Sequence, residues 1–359
     1  MTVLPPTGTQ WTVSVSEGLD AVAFLGALSG VPLYVDEYPT EAKEFSSRLD
    51  LSVVQRLADL TQDAQASGFG LLWPNLADVL SLASTDSIDD VIDSLAHPSE
   101  RIGPHRQTLS WSESEWGWLV AAATSLGDVV GAMRDAGFAG FRRTQIGSAL
   151  DERADELRRQ LAPIDVIDLQ RRLSGKDLDP EIEIVLLYFC RPHGVRIQGQ
   201  RFIQSPDFDL MTTVRVAAHE LLHPPMDMHG SVARAVLTEL EEDDLFGRIV
   251  REHDPSWGYT TLEGYLNEDV CQAVDQLIVE QLSVARNPAD RWHSADGGMH
   301  VLAAGLYGLL REDGWVRSGG SIESWLGSAL EAGRLQPQVL HPVAARVLER
   351  PVDRLWPLD

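Results

Sequence analysis

Five residues near the middle of this chain, His219-Glu220-Leu221-Leu222-His223, restrict what can be built around them more than any other stretch. On a helix, positions four apart stand one turn above each other, so the imidazoles of His219 and His223 can face one point. Glu220 projects from the adjoining edge, where its carboxylate can hold a water without acting as a ligand. Two nitrogen ligands that leave coordination positions open, with a carboxylate base alongside, are what metal-assisted hydrolysis requires.

The surrounding residues suit that reading. Residues 211–223 (MTTVRVAAHELLH) read as the helix, with Thr212 or Thr213 as N-cap and Val214, Ala217, Ala218, Leu221 and Leu222 as apolar bulk. Only Arg215 and Glu220 add charge. A helix facing water would carry Lys, Glu and Gln on its outer side, so a mostly buried helix presenting its polar groups to one site is expected. Pro224-Pro225 follows at once. Neither residue has an N–H to continue the ladder, and the helix must stop or turn there.

A second long helix is expected from Thr261 to about Leu282. Within it, Leu266-Asn267-Glu268 resembles the Asn-Glu pair that carries the glutamate ligand in the gluzincin metallopeptidases. The chain is accordingly similar to the zincin superfamily, gluzincin branch, over roughly residues 180–285. The resemblance implies one zinc ion per chain, held by His219, His223 and a glutamate, with Glu220 as general base. Two glutamates compete for the third position. Glu242 follows His223 after 18 intervening residues, a spacing found in the aminopeptidase branch, but it lies in the acidic run 239–244, which suits a solvated helix face. Glu268 stands among Leu266, Val270, Ala273 and Val274, where an unpaired carboxylate would be costly, and is preferred. Three features depart from the family pattern: the proline directly after His223, the long gap to Glu268, and Gln272 where an aspartate partner usually follows.

Residues 181–190 alternate in polarity and then become apolar, as a strand entering a core does. A turn at 191–194, including His193, should lead to a returning strand over 195–203. Under the resemblance this hairpin would lie over the metal helix, with an edge strand able to pair with an extended peptide. The reading from residues alone is a hairpin that covers a core. The expected class is α+β, predominantly helical: a zincin-like catalytic core with a small antiparallel sheet over residues 151–359, and a helical lobe over 1–150 that walls a cleft. Helices are expected at 18–29, at 46–68, and at 116–136 behind a Ser112/Glu115 capping box. Further helices are expected over 150–175, interrupted at Pro163, and over 298–313, 321–332 and 342–350. Boundaries are expected near 96–112 and 174–180.

Composition limits the partners. The chain has 54 acidic against 29 basic residues and a formal charge of -25. Such a surface repels nucleic acid and anionic membranes and favours basic or neutral substrates; the peptide or protein substrate is what the resemblance implies. No apolar run reaches membrane-spanning length, and the N-terminus lacks a basic, apolar leader. Two cysteines, Cys190 and Cys271, suggest reduced thiols and a cytoplasmic setting, and the Arg-rich, Lys-poor usage suggests a bacterial source. Cys271 follows Glu268 closely enough to approach the metal.

Hydrolysis also needs a donor for the oxyanion. Tyr265, one turn before Glu268, Tyr259 in a Gly-containing turn, and His300 are the candidates, with His293 and Tyr307 nearby in sequence. Asp227 and Asp275 could orient a ligand imidazole. The expected activity is zinc-dependent peptide hydrolysis. The alternative is an inactive zincin-like binding or regulatory protein, which retention of Glu220 disfavours.

Overall fold

The computed structural model describes residues 8–109 and 111–357. Residues 1–7, read above for a leader, lie outside the described residues, as does Ser110 within the expected boundary at 96–112. The chain forms two compact units. One comprises Gln10–Pro163 and Glu181–Leu210; the other comprises Met1–Thr9, Ile164–Pro180 and Met211–Asp359. The expected lobe 1–150 falls in the first unit except for its first nine residues, whereas the expected region 151–359 is shared between both.

The first unit holds the sheet. Its strands are β1 (Gln10–Val15), β2 (Glu181–Leu186), β3 (Val195–Ile197) and β4 (Arg201–Gln204), in the order β1-β2-β4-β3. β1 pairs parallel with β2, and β2 pairs parallel with β4; only β3 and β4 are antiparallel. The sheet is therefore mixed, which corrects the expectation of a small antiparallel one. The expected single strand over 195–203 breaks at Gly199, whose φ of 77° suits a glycine turn. β4 then returns between β3 and β2, and so runs in the same direction as β2. The sheet belongs to a different unit from His219 and His223.

Helices supply most of the first unit's core. Glu17–Leu28 is buried along nearly its whole length, with Ser16 capping its first turn. Phe24 packs against Phe189 with ring centroids 4.1 Å apart, and Phe45, Phe138 and Phe141 complete that aromatic cluster. Buried Asp20 accepts from Arg142 at 2.7 Å and from the Phe189 N–H at 2.9 Å. The Ser112/Glu115 capping box is present at the start of Glu113–Asp135.

The second unit is helical. Leu262–Gln281, Val301–Glu312 and Pro337–Val347 are its principal helices, and Leu262–Gln281 is buried on almost every side from Tyr265 to Val279. Gly305 and Gly308 let Val301–Glu312 approach Pro337–Val347 closely. A Cβ on either would lie within 2.6 Å of Leu340 or 2.3 Å of Val343. Among the described residues no helix is long and apolar enough to cross a membrane.

Candidate metal centre

The helix that carries His219 spans Leu210–Glu220 and buries Thr213, Val214, Ala217 and Ala218. It starts before Thr212 and Thr213, which lie inside it rather than capping it. It also ends three residues short of His223. The Leu222 N–H reaches the His219 carbonyl and the His223 N–H reaches that of Glu220, so the last turn is tightened to i→i−3 bonding. Two side chains satisfy the carbonyls left over. Gln170 Nε2 donates to Ala217 and Ala218, each at 3.1 Å. Lys176 Nζ donates to the carbonyls of Leu221, Leu222 and Pro224 at 2.8–3.3 Å. A cation at a helix C-terminus also offsets the negative end of the helix dipole. The regular helix thus ends at Glu220, ahead of Pro224-Pro225 rather than at them, and Lys176 binds the carbonyls beyond its last turn.

Three side chains converge. His219 Nε2 and His223 Nε2 lie 3.1 Å apart, and the Glu268 carboxylate lies 3.4 Å from each. These are groups able to hold one metal ion, with all candidate ligand atoms within 4.8 Å of one another. Ligands about 2.0–2.2 Å from one ion at tetrahedral angles stand about 3.3–3.6 Å apart, so the observed spacing suits a small dication. Glu268 takes the third position. Glu242 caps the C-terminal end of Ser231–Glu241 and is exposed.

The outer nitrogens are held in a matching way. His219 Nδ1 lies 2.7 Å from Asp275, leaving Nε2 to face the cluster. Asp275 is in turn gripped through both oxygens by Arg291, at 2.5 and 2.9 Å. His223 Nδ1 lies 3.3 Å from both Asn267 Oδ1 and Cys271 Sγ. Gln272 donates to Glu268 at 2.8 Å and accepts from Trp292 at 2.7 Å, which fixes the direction of the Glu268 carboxylate. Partners of this kind fix ring tautomer and ligand direction. Burial alone would raise the Glu268 pKa, but His219 and His223 hold it well below the carboxylate range. Burial would likewise lower the His219 pKa, yet Glu268 and Asp275 carry it well above the usual imidazole value. Buried anionic charge facing two imidazoles is a setting that a bound cation also satisfies.

The oxyanion candidates separate by position. Tyr265 is fully buried and its hydroxyl donates to the Met299 carbonyl at 2.7 Å, away from the cluster. His300 is also buried, with Nδ1 at 2.6 Å from Asp269 and Nε2 at 2.9 Å from Asp296. Tyr259 stays beside the cluster. Burial, then the charges of Glu268, Asp296 and Glu220, push its hydroxyl well above the ordinary range. Its backbone φ of 57° is unusual for a tyrosine and follows Gly258 at 85°. Among the remaining candidates, Asp227 accepts from the His229 N–H in a turn, His293 lies in the helix Pro288–Ser294 with its Nε2 buried and without a hydrogen-bond partner among the described residues, and Tyr307 donates to Glu280.

Glu220 and His219 lie at the edge of a pocket of about 190 Å³. Arg215, Arg286 and Arg291 also line it, a grouping that no local sequence pattern marks. No family model, curated protein or solved structure matches the chain.

Proposed function

We propose that this chain is a zinc-dependent metallopeptidase. The observation that carries the reading is the convergence of His219, His223 and Glu268 on one point, beside Glu220 and the Tyr259 hydroxyl. His219, His223 and Glu268 would hold the ion, with Asp275, Asn267 and Gln272 fixing their directions. A bound zinc ion supplies Lewis acidity and a lowered water pKa at this position. Glu220 receives the proton of the attacking water and passes it to the leaving amine. Tyr259, kept protonated by its surroundings, donates to the carbonyl oxygen as that oxygen gains charge. The two cysteines, both free, agree with a reducing cytoplasmic setting.

The test is hydrolysis of a mixed peptide pool by the zinc-loaded chain, followed by mass spectrometry. Wild-type protein is expected to cleave and Glu220→Gln to retain zinc without cleaving. Equal cleavage by both proteins would overturn the assignment of the base.

A further inference from the structure

We infer that the pocket beside Glu220 receives a carboxylate of the substrate, so that cleavage favours peptides carrying negative charge next to the scissile bond. The inference rests on the peptidase reading for its substrate class, and its geometry adds Arg215, Val216, Val279 and Arg286 to residues of the candidate metal centre. One wall is the face of Leu210–Glu220 formed by Thr212, Arg215, Val216 and His219; the opposite wall is Asp275, Gln276 and Val279. Arg286 and Arg291 line it from the segment that follows.

The charges in the pocket differ in what they are bound to. Arg291 is committed to Asp275, so this pair adds little net charge. Arg215 is fixed by bonds to the Val284 carbonyl at 3.1 Å and to Thr212 Oγ1 at 2.7 Å, which holds its guanidinium at the wall. Arg286 is exposed. With Glu220 and Asp275 also on its lining, the recess holds three guanidinium groups against two carboxylates, a small positive excess in a chain of formal charge -25. The general surface repels anions, and this recess is built to accept one. Guanidinium groups suit carboxylates because their planar donors match both oxygens. Val216 and Val279 provide an apolar lining between the charges.

The reach is short. Arg215 precedes His219 by four residues, or about 6 Å along the helix axis, and Thr212 precedes it by seven, or about 10 Å. A carboxylate in the recess therefore lies one or two residues from the bond that Glu220 serves. It can come from the chain terminus or from an aspartate or glutamate side chain.

Three short peptides distinguish the sources: one with a free C-terminal carboxylate, its C-terminal amide, and the same amide with glutamate as last residue. Binding is measured by calorimetry on the full chain carrying Glu220→Gln and loaded with zinc, alone and combined with Arg286→Gln or Arg215→Gln. The expected result is that at least one carboxylate peptide binds about tenfold or more tightly than the neutral amide. Arg286→Gln should remove most of that preference and leave amide binding unchanged. Preference for the free acid names the terminus as the source, and preference for the glutamate amide names the side chain. Equal binding of all three peptides, or a preference that survives both arginine substitutions, overturns the inference. Retained preference together with no cleavage by wild-type protein would instead overturn the peptidase reading alone.

Discussion

The Asp275 carboxylate lies 2.7 Å from His219 Nδ1 and is itself clamped by Arg291, so the direction of the His219 ring is set from outside the cluster. Asp275 sits seven residues beyond Glu268 on the same helix, nearly two full turns, and places both on the face toward His219. One helix therefore supplies a candidate ligand and the group that orients another candidate ligand.

Asp275→Asn should weaken zinc binding by about 10- to 100-fold, the usual cost of losing such a partner. Competition against a chelating dye measures it. The substitution also leaves Arg291 without its anion, so Tm should fall; unchanged affinity would show that His219 is oriented by other means.

Lys176→Met should fray the end of the metal helix. Three carbonyls lose a charged donor, a loss of roughly 1–3 kcal/mol in stability. Urea unfolding reads the stability, and zinc affinity should fall with it because His223 lies beyond the last regular turn. A variant as stable as wild type would remove Lys176 from the account.

Tyr259→Phe should keep the fold and the zinc while lowering kcat by about 10- to 1,000-fold, with little change in KM. Tyr265→Phe, which alters a hydroxyl bonded to Met299, should affect stability and leave kcat near wild type. The opposite pattern in steady-state kinetics would exchange their roles.

His300 predicts a pH-dependent stability. Burial alone would lower its pKa, but Asp269 outweighs that and, with Asp296, carries it from 6.5 to about 10. A folded pKa above the unfolded one gives stability that is fully present below pH 6.5 and lost as pH rises through about 10. The Tm difference between wild type and His300→Gln should therefore shrink between pH 6.5 and 10. A difference that stays constant would show that the imidazole is neutral in the folded protein.

Local patterns explain which parts of this arrangement are visible before folding. His219 and His223 stand four residues apart and Glu268 is ringed by apolar neighbours, so each is marked as a candidate within a few residues. The helices Glu17–Leu28, Glu113–Asp135 and Leu262–Gln281 follow from apolar spacing and caps. β1 does not, because only Val13 of its six residues is buried and its partner β2 lies about 170 residues away. Tyr259 and Tyr265 cannot be ranked from spacing, since the direction of each hydroxyl is decided by what packs around it. Lys176 and Gln170 belong to a stretch legible only as charged helix and connection, yet they secure the C-terminal end of Leu210–Glu220. Arg215, Arg286 and Arg291 are brought together only when Leu210–Glu220 and Leu262–Gln281 pack against each other.

The central claim is that His219, His223 and Glu268 hold zinc, and elemental analysis of the full chain purified without chelator tests it most directly. His223→Ala, Glu268→Ala and Glu242→Ala should be measured beside wild type. Wild type and Glu242→Ala should each carry about one zinc per chain, and the other two variants little or none. Wild-type protein without metal that also fails to take up added zinc would contradict the account, as would zinc lost from Glu242→Ala but retained by Glu268→Ala.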